Sequence, residues 1–238
     1  SLIDYALKMT TRLEKALPKI ESFFEKEDRK IYKQKDLTAI LKGNQEGGWK
    51  LPLSITTPSF LKELLKKTSL KKIVLQSTNE YQPITRYTWG DASPYDMALS
   101  LKPGSYLCHG TAVFLHGLND QIPRTIYVNK EQSPKPAPTT PLTQEGIDRA
   151  FANKQRTSLY EFIYKNHRIL LLSGKSTGRL EVTKMKGPAE EWLEVTKVER
   201  TLIDITVRPA YAGGVYQVLA ALEGAKDRVS MNTITALL

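Results

Sequence analysis

Between Thr56 and Trp89, in "TTPSFLKELLKKTSLKKIVLQSTNEYQPITRYTW", the apolar residues change their period. Phe60, Leu61, Leu64 and Leu65 recur at helical spacing, whereas "KKIVLQ" and "ITRYTW" are β-rich runs joined by "STNEYQP". A helix must therefore hand over directly to a hairpin. Thr57 reads as the N-cap of that helix, with Pro58 at its first position. Upstream, Leu13, Leu17, Ile20 and Phe24 mark an amphipathic helix that Pro18 is expected to kink or split. "KQKDLTAILKG" (Lys33–Gly43) marks a second, with Leu37, Ile40 and Leu41 on one face and Gly43 as its stop. "NQEGGWKLPLSI" reads as a loop. Helix, helix, loop, helix, hairpin is the order of a winged helix-turn-helix domain, here expected over residues 1–90, with its third helix entering the major groove.

The charge fits that placement. Of the net +10, residues 1–90 hold 17 Lys+Arg against 10 Asp+Glu, and the remainder 18 against 15. A basic module on a nearly balanced body suggests a polyanion partner, although charge alone serves solubility equally well. Lys62, Lys66 and Lys67 lie off the apolar stripe of the third helix, Lys71, Lys72 and Arg86 lie on the hairpin, and Thr57 and Ser59 stand at the helix start. These are the predicted DNA-binding residues: the cations neutralise phosphates, and Thr57 and Ser59 position or read the groove. A solvated lysine-rich face is the bland alternative, and the adjoining hairpin tips the balance towards nucleic acid.

The 238 residues suffice for one large or two ordinary domains, and 40% hydrophobic with 25% charged residues is a globular composition. The longest apolar run, Ile169–Leu172, is strand-sized, so no bilayer-crossing helix or membrane partner is expected. The chain starts at Ser and no signal peptide follows, so a cytoplasmic protein with a processed or trimmed start is expected. A single cysteine excludes an intrachain disulfide and a cysteine-rich zinc module.

Residues 91–238 mix helices and strands, which makes this an α/β or α+β domain. "SYLC" reads as a strand, "GTAVFLHG" as a helix, "RTIYVNK" as a strand and "SPKPAPTTP" as a proline-rich loop. "TQEGIDRAFANK" reads as a helix capped by Thr143, with Ile147, Ala150 and Phe151 on one side. Strands are expected at Ser158–Tyr164, His167–Ser173, Arg179–Lys184 and "WLEVT". Helices are expected at Val198–Thr206 and at Val215–Ala225, the latter with Val215, Val218, Leu219 and Leu222 facing inward.

Three stretches invite a catalytic reading. In "SYLCHGTAVFLHGL", His109 and His116 are two helical turns and about 10 Å apart, too far for one metal ion. Cys108 and His109 are sequence neighbours whose side chains are expected to diverge, so Cys108 reads as a small buried hydrophobe and His116 as a helix-end residue. "LLSGKSTG" ends like a phosphate loop, but Ile169 stands where its first glycine belongs and a strand follows, so a hairpin turn is expected. In "VTKVERTLIDITVRPAYAGG", Thr196 and Glu199 fit a capping box, Arg200 and Asp204 an i,i+4 pair, and Gly213-Gly214 the start of the next helix. The two "LEVTK" segments place Glu and Lys on opposite strand faces, which disfavours a nuclease E-x-K arrangement.

"YLCHGTAVFLHGLNDQIPRTIYVNKEQ", "LTQEGIDRAFANKQR", "LLLSGKSTG" and "VERTLIDITVRPAYAGGVYQVL", in this order around the proline-rich interval, resemble the AbiEi family. Its members are antitoxins and transcriptional regulators of type IV toxin–antitoxin systems. The resemblance is strongest from Tyr106 to Leu222; the family pattern usually has Ser at the place of Cys108 and continues beyond Leu238 with a further helical segment. It implies a winged helix followed by an antitoxin domain, expected at residues 91–238 and without that final segment. It further implies repression of the protein's own operon through inverted repeats in double-stranded DNA, with self-association possible on the DNA. The family counters a neighbouring nucleotidyltransferase toxin, without a stable complex, in abortive-infection defence against phage. No cofactor, metal or enzymatic activity is expected; the alternatives are a metal-dependent nuclease or nucleotide-modifying activity in the C-terminal domain, or a regulator without a toxin.

Overall fold

The computed structural model describes residues 2–136, 141, 143–153 and 157–238, with side chains from residue 12 on, that of Phe151 excepted. The chain is mixed α/β and divides into two compact units, Ser1–Leu75 with Pro83–Ala92, and Gln76–Gln82 with Ser93–Leu238. Among the described residues no helix is long and apolar enough to cross a membrane.

The first unit runs α1 (Leu2–Lys26), β1 (Ile31–Tyr32), α2 (Gln34–Asn44), α3 (Thr57–Lys67), β2 (Leu70–Ser77) and β3 (Ile84–Trp89). Its sheet is antiparallel, with β3 between β1 and β2. Leu13, Ala16, Ile20 and Phe24 of α1 bury one stripe against Leu37 and Leu41 of α2 and Phe60, Leu61 and Leu64 of α3. α1 continues through Pro18 without splitting. Phe24 stacks on Trp89 with ring centroids 4.6 Å apart and meets Tyr32 edge-on, so the helix is fixed to the sheet by aromatic contact. The loop after α2 is not a surface excursion: Trp49, Leu51 and Ile55 are buried, and the buried Gln45 amide donates to the carbonyl of Pro52. Two helix ends differ from expectation. Gly43 does not stop α2, which ends one residue later, and the N-cap of α3 is Thr56, whose Oγ1 accepts from the Ser59 N–H, so Thr57 is the first helical residue and Pro58 the second.

The second unit contains α4 (Pro94–Leu99), β4 (Tyr106–Leu107), α5 (His109–Leu115), β5 (Thr125–Asn129), α6 (Gln144–Ala152), β6 (Glu161–Tyr164), β7 (His167–Leu172), β8 (Val182–Lys186), β9 (Trp192–Thr196), α7 (Val198–Val207), a 3-10 turn at Pro209–Ala212, α8 (Val215–Ala225) and α9 (Met231–Leu237). The strand order is β6-β7-β5-β4-β9-β8, with β5/β7 and β4/β9 parallel and the other neighbours antiparallel. Gln76 and Ser77, at the end of β2, pair with β6. Ile169–Leu172 is buried along its whole length, the pattern of a strand covered on both faces. Strand β8 starts later than its residue types suggest because Arg179 and Glu181 both have positive φ, which interrupts extended backbone. Thr143 caps α6 as expected, while Phe151 and part of the proline-rich interval, residues 137–140, lie outside the described positions.

Three further expectations are corrected here. β7 and β8 do not form a hairpin: β7 lies between β5 and β6, and β8 pairs with β9 alone, so "SGKSTG" is a crossing segment. Thr196 and Glu199 form no capping box; Lys197 holds the cap position of α7, the Thr196 hydroxyl meets that of Thr201 at 2.8 Å, and Glu199 accepts from the Ser230 N–H. On α8, Val218 is buried, but Val215, Leu219 and Leu222 are 61%, 57% and 41% exposed. The buried face is instead Val218, Ala221 and Ala225, packed with Val113 and Leu118 beside Leu202 and Ile205 of α7. Close approach explains the choice, since a Cβ on Gly224 would lie 2.8 Å from the Leu118 carbonyl oxygen.

The α3 cap separates two adjacent threonines. Thr56→Ala is expected to destabilise the first unit by about 1 kcal/mol in urea unfolding, the usual cost of a lost N-cap side chain, and Thr57→Ala by clearly less.

Candidate functional site

The face of α3 opposite its buried leucines carries Ser59, Lys62 and Lys66, spaced three and four residues apart and so on one side of the helix. Lys62 and Lys66 are exposed and form no ion pair with any described residue, while Ser59 is half-buried near the positive end of the helix. The other predicted residues are placed differently. Lys67 is drawn back onto Glu14 of α1 and onto Glu63 at 2.9 Å, and those bonds raise its pKa from the ordinary lysine value. Lys71 pairs with Asp91 at 2.8 Å on the surface, and Lys72 is exposed on the following, oppositely facing position of β2. Arg86 is only 6% exposed and donates to the Thr85 carbonyl; burial lowers its pKa, with Asp36 opposing that effect. It is therefore a structural cation of the hairpin. Thr57, half-buried at the first helical position, has lost the capping role to Thr56. The geometry thus gathers Ser59, Lys62 and Lys66 on one face and leaves Lys67 and Arg86 otherwise engaged.

In the second unit, Cys108 and His109 meet, contrary to expectation: His109 Nδ1 lies 3.1 Å from Cys108 Sγ. The turn that allows it is local. His109, the first residue of α5, adopts φ 51°, and its ring lies against the thiol of the preceding residue. Burial raises the Cys108 pKa well above the ordinary thiol value and lowers that of His109 to about 3, with Arg208 and Arg200 adding to the latter. The pair is thiol and neutral imidazole, the reverse of an activated nucleophile. His116 is separate: it ends α5, its Nε2 lies 2.7 Å from the Thr196 carbonyl oxygen, and burial lowers its pKa. Among the described residues, no three His, Cys, Asp or Glu side chains come together in a way that could hold a metal ion.

The "SGKSTG" segment does cradle an anion, one supplied by the protein itself. The Glu131 carboxylate, two residues beyond β5, accepts from the Thr177 N–H at 3.0 Å, the Thr177 hydroxyl, the Arg179 N–H at 3.2 Å and the Tyr106 hydroxyl at 2.9 Å. Burial alone raises its pKa, but the bonds from Thr177, Tyr106 and Arg179 outweigh it and hold the group at about 2. Asn129 completes the junction by donating to Tyr106 and accepting from the Gly174 N–H, both at 2.8 Å. Nothing local in "VNKEQ" marks Glu131 for this role, because its donors lie more than forty residues downstream or on another strand.

No protein-family model matches this chain, and no curated protein matches it either.

Glu131 gives a pH-dependent test. Its carboxyl pKa is depressed on folding, so its contribution is fully present above the unfolded value near 4.5 and is lost as the pH falls towards about 2. Glu131→Gln is expected to lower stability at pH 7 by about 1–3 kcal/mol, and the difference from the parent should shrink in urea titrations below pH 4 or so.

Proposed function

We propose that this chain is a DNA-binding transcriptional repressor and antitoxin of the AbiEi kind, acting in the cytoplasm without chemistry of its own. The first unit is read as a winged helix-turn-helix module: α2 and α3 are the helix pair, α3 the recognition helix, and the β2–β3 hairpin the wing. The observation that carries this reading is the α3 face itself, where Ser59, Lys62 and Lys66 stand together with no acidic residue bound to either lysine among the described residues. Three helices around an aromatic core, followed directly by an antiparallel hairpin, support it as well. Lys62 and Lys66 contact phosphates, Ser59 sits at the helix start where groove edges or backbone are met, and Lys72 extends the basic surface along the wing. Inverted repeats would engage two copies, each reading one half-site.

The antitoxin half of the reading rests on the likeness of residues 106–222 to the AbiEi pattern. On it, the second unit opposes a nucleotidyltransferase toxin encoded beside this gene, in defence against phage, without forming a stable complex. The neutral Cys108–His109 pair agrees with a domain that performs no nucleophilic catalysis.

Salt titration of operator binding tests the recognition helix. Lys62→Ala with Lys66→Ala is expected to reduce the slope of log K against log salt by roughly 2, about one for each lost phosphate contact. Lys67→Ala, whose charge is already taken by Glu14 and Glu63, is expected to change it less. An unchanged slope in the double variant would reject α3 as the phosphate-binding helix. Co-expression of the adjacent gene, scoring growth rescue and promoter repression separately, tests the antitoxin role.

A further inference from the structure

Beside the "SGKSTG" crossing, the second unit carries an open cavity of about 460 Å3, within the size range of small-molecule sites. Its polar lining is asymmetric in charge. Lys175, Arg200 and Arg208 face it, whereas the lining contains one carboxylate, Asp204, which Arg200 already holds at 2.9 Å. Glu131, bound to the crossing segment, is not part of the lining. Hydroxyls of Thr157 and Ser173 add groups able to donate to an oxyanion, whereas that of Ser158 donates to the Leu171 carbonyl. Leu172, Val207 and the rings of Tyr106 and Tyr211 complete the lining with apolar surface. His109 reports the same field, since the charges of Arg208 and Arg200 add to burial in holding its imidazole neutral. Backbone strain is also placed here, because His109 with its positive φ forms part of the wall, and a Cβ on neighbouring Gly110 would lie 2.9 Å from the Tyr211 carbonyl oxygen.

The lining thus combines cations and hydroxyls with aliphatic and aromatic side chains, Arg208 standing over the Tyr211 ring at 6.0 Å, and fits a ligand with one anionic group and one ring. We propose that this cavity binds a mononucleotide, with Lys175 and Arg208 taking the phosphate and the aliphatic side chains of Leu172 and Val207 taking the base. The cavity lining shares no residue with the α3 surface, so the second unit would carry a small-molecule input of its own.

Calorimetric titration of the full chain with the four ribonucleoside 5′-monophosphates, their nucleosides and inorganic phosphate tests this. At least one monophosphate is expected to bind saturably at one per chain, and its nucleoside and phosphate alone at least about tenfold more weakly. Lys175→Gln with Arg208→Gln should weaken that binding by about tenfold or more while leaving operator binding at the parent value. If the double variant melts well below the parent, Lys175→Gln alone, an exposed side chain, carries the comparison with an expected loss of about threefold or more. Absence of saturable binding by every monophosphate, equal binding of phosphate alone, or undiminished binding in the folded variants would overturn the proposal.

Discussion

The Glu131 carboxylate is the fixed point of the second unit. Four donors from three places in the chain converge on it: the Tyr106 hydroxyl from β4, the amide and hydroxyl of Thr177, and the amide of Arg179. Because β7 and β8 lie far apart in the sheet order, the segment between them must cross the ends of the intervening strands with few strand hydrogen bonds of its own. An ionised acid with several lone pairs satisfies that backbone at one point, and hydrogen bonds to a charged acceptor are the stronger kind. Arg179 extends the junction by donating to the Gly104 carbonyl and pairing with Glu194 of β9. The same crossing forms part of the cavity wall, so the geometry of the proposed ligand site follows from where this carboxylate stands.

The elements legible in the sequence are those whose periodicity is local. The stripes of α1, α2 and α3 and the two strands of the hairpin emerge from spacing alone, because each buries a face defined within a few turns or residues. What was illegible depended on distant partners. Adjacent Thr56 and Thr57 are chemically equal caps, and only the path of the incoming chain chooses between them. The leucines of α8 form a convincing apolar pattern, yet the face that packs is the one bearing Val218, Ala221, Gly224 and Ala225. "SGKSTG" has the residues of a tight turn, but strand partners drawn from β5 and β9 decide that it is a crossing. Cys108 and His109 could be judged from sequence only as neighbours, and the single left-handed backbone angle that joins them has no signature in residue type.

Charge on the first unit is likewise finer than its total. Of the cations read from the sequence as one basic surface, Arg86 is folded inward, Lys67 ties α3 to α1, and Lys71 is matched by Asp91. Counting residues treats these as equivalent to Lys62 and Lys66, although their freedom to release counterions on meeting a polyanion differs. Burial and pairing, both long-range properties of the fold, convert a count into a surface.

The close seating of α8 has an evolutionary consequence. Where Gly224 meets Leu118 there is no room for even one added methyl, so this face is closed to the gradual enlargement by which protein interiors ordinarily improve. Its outer stripe of Val215, Leu219 and Leu222 has no such restriction. A larger side chain at any of those three positions therefore meets more open surroundings than one added at Gly224.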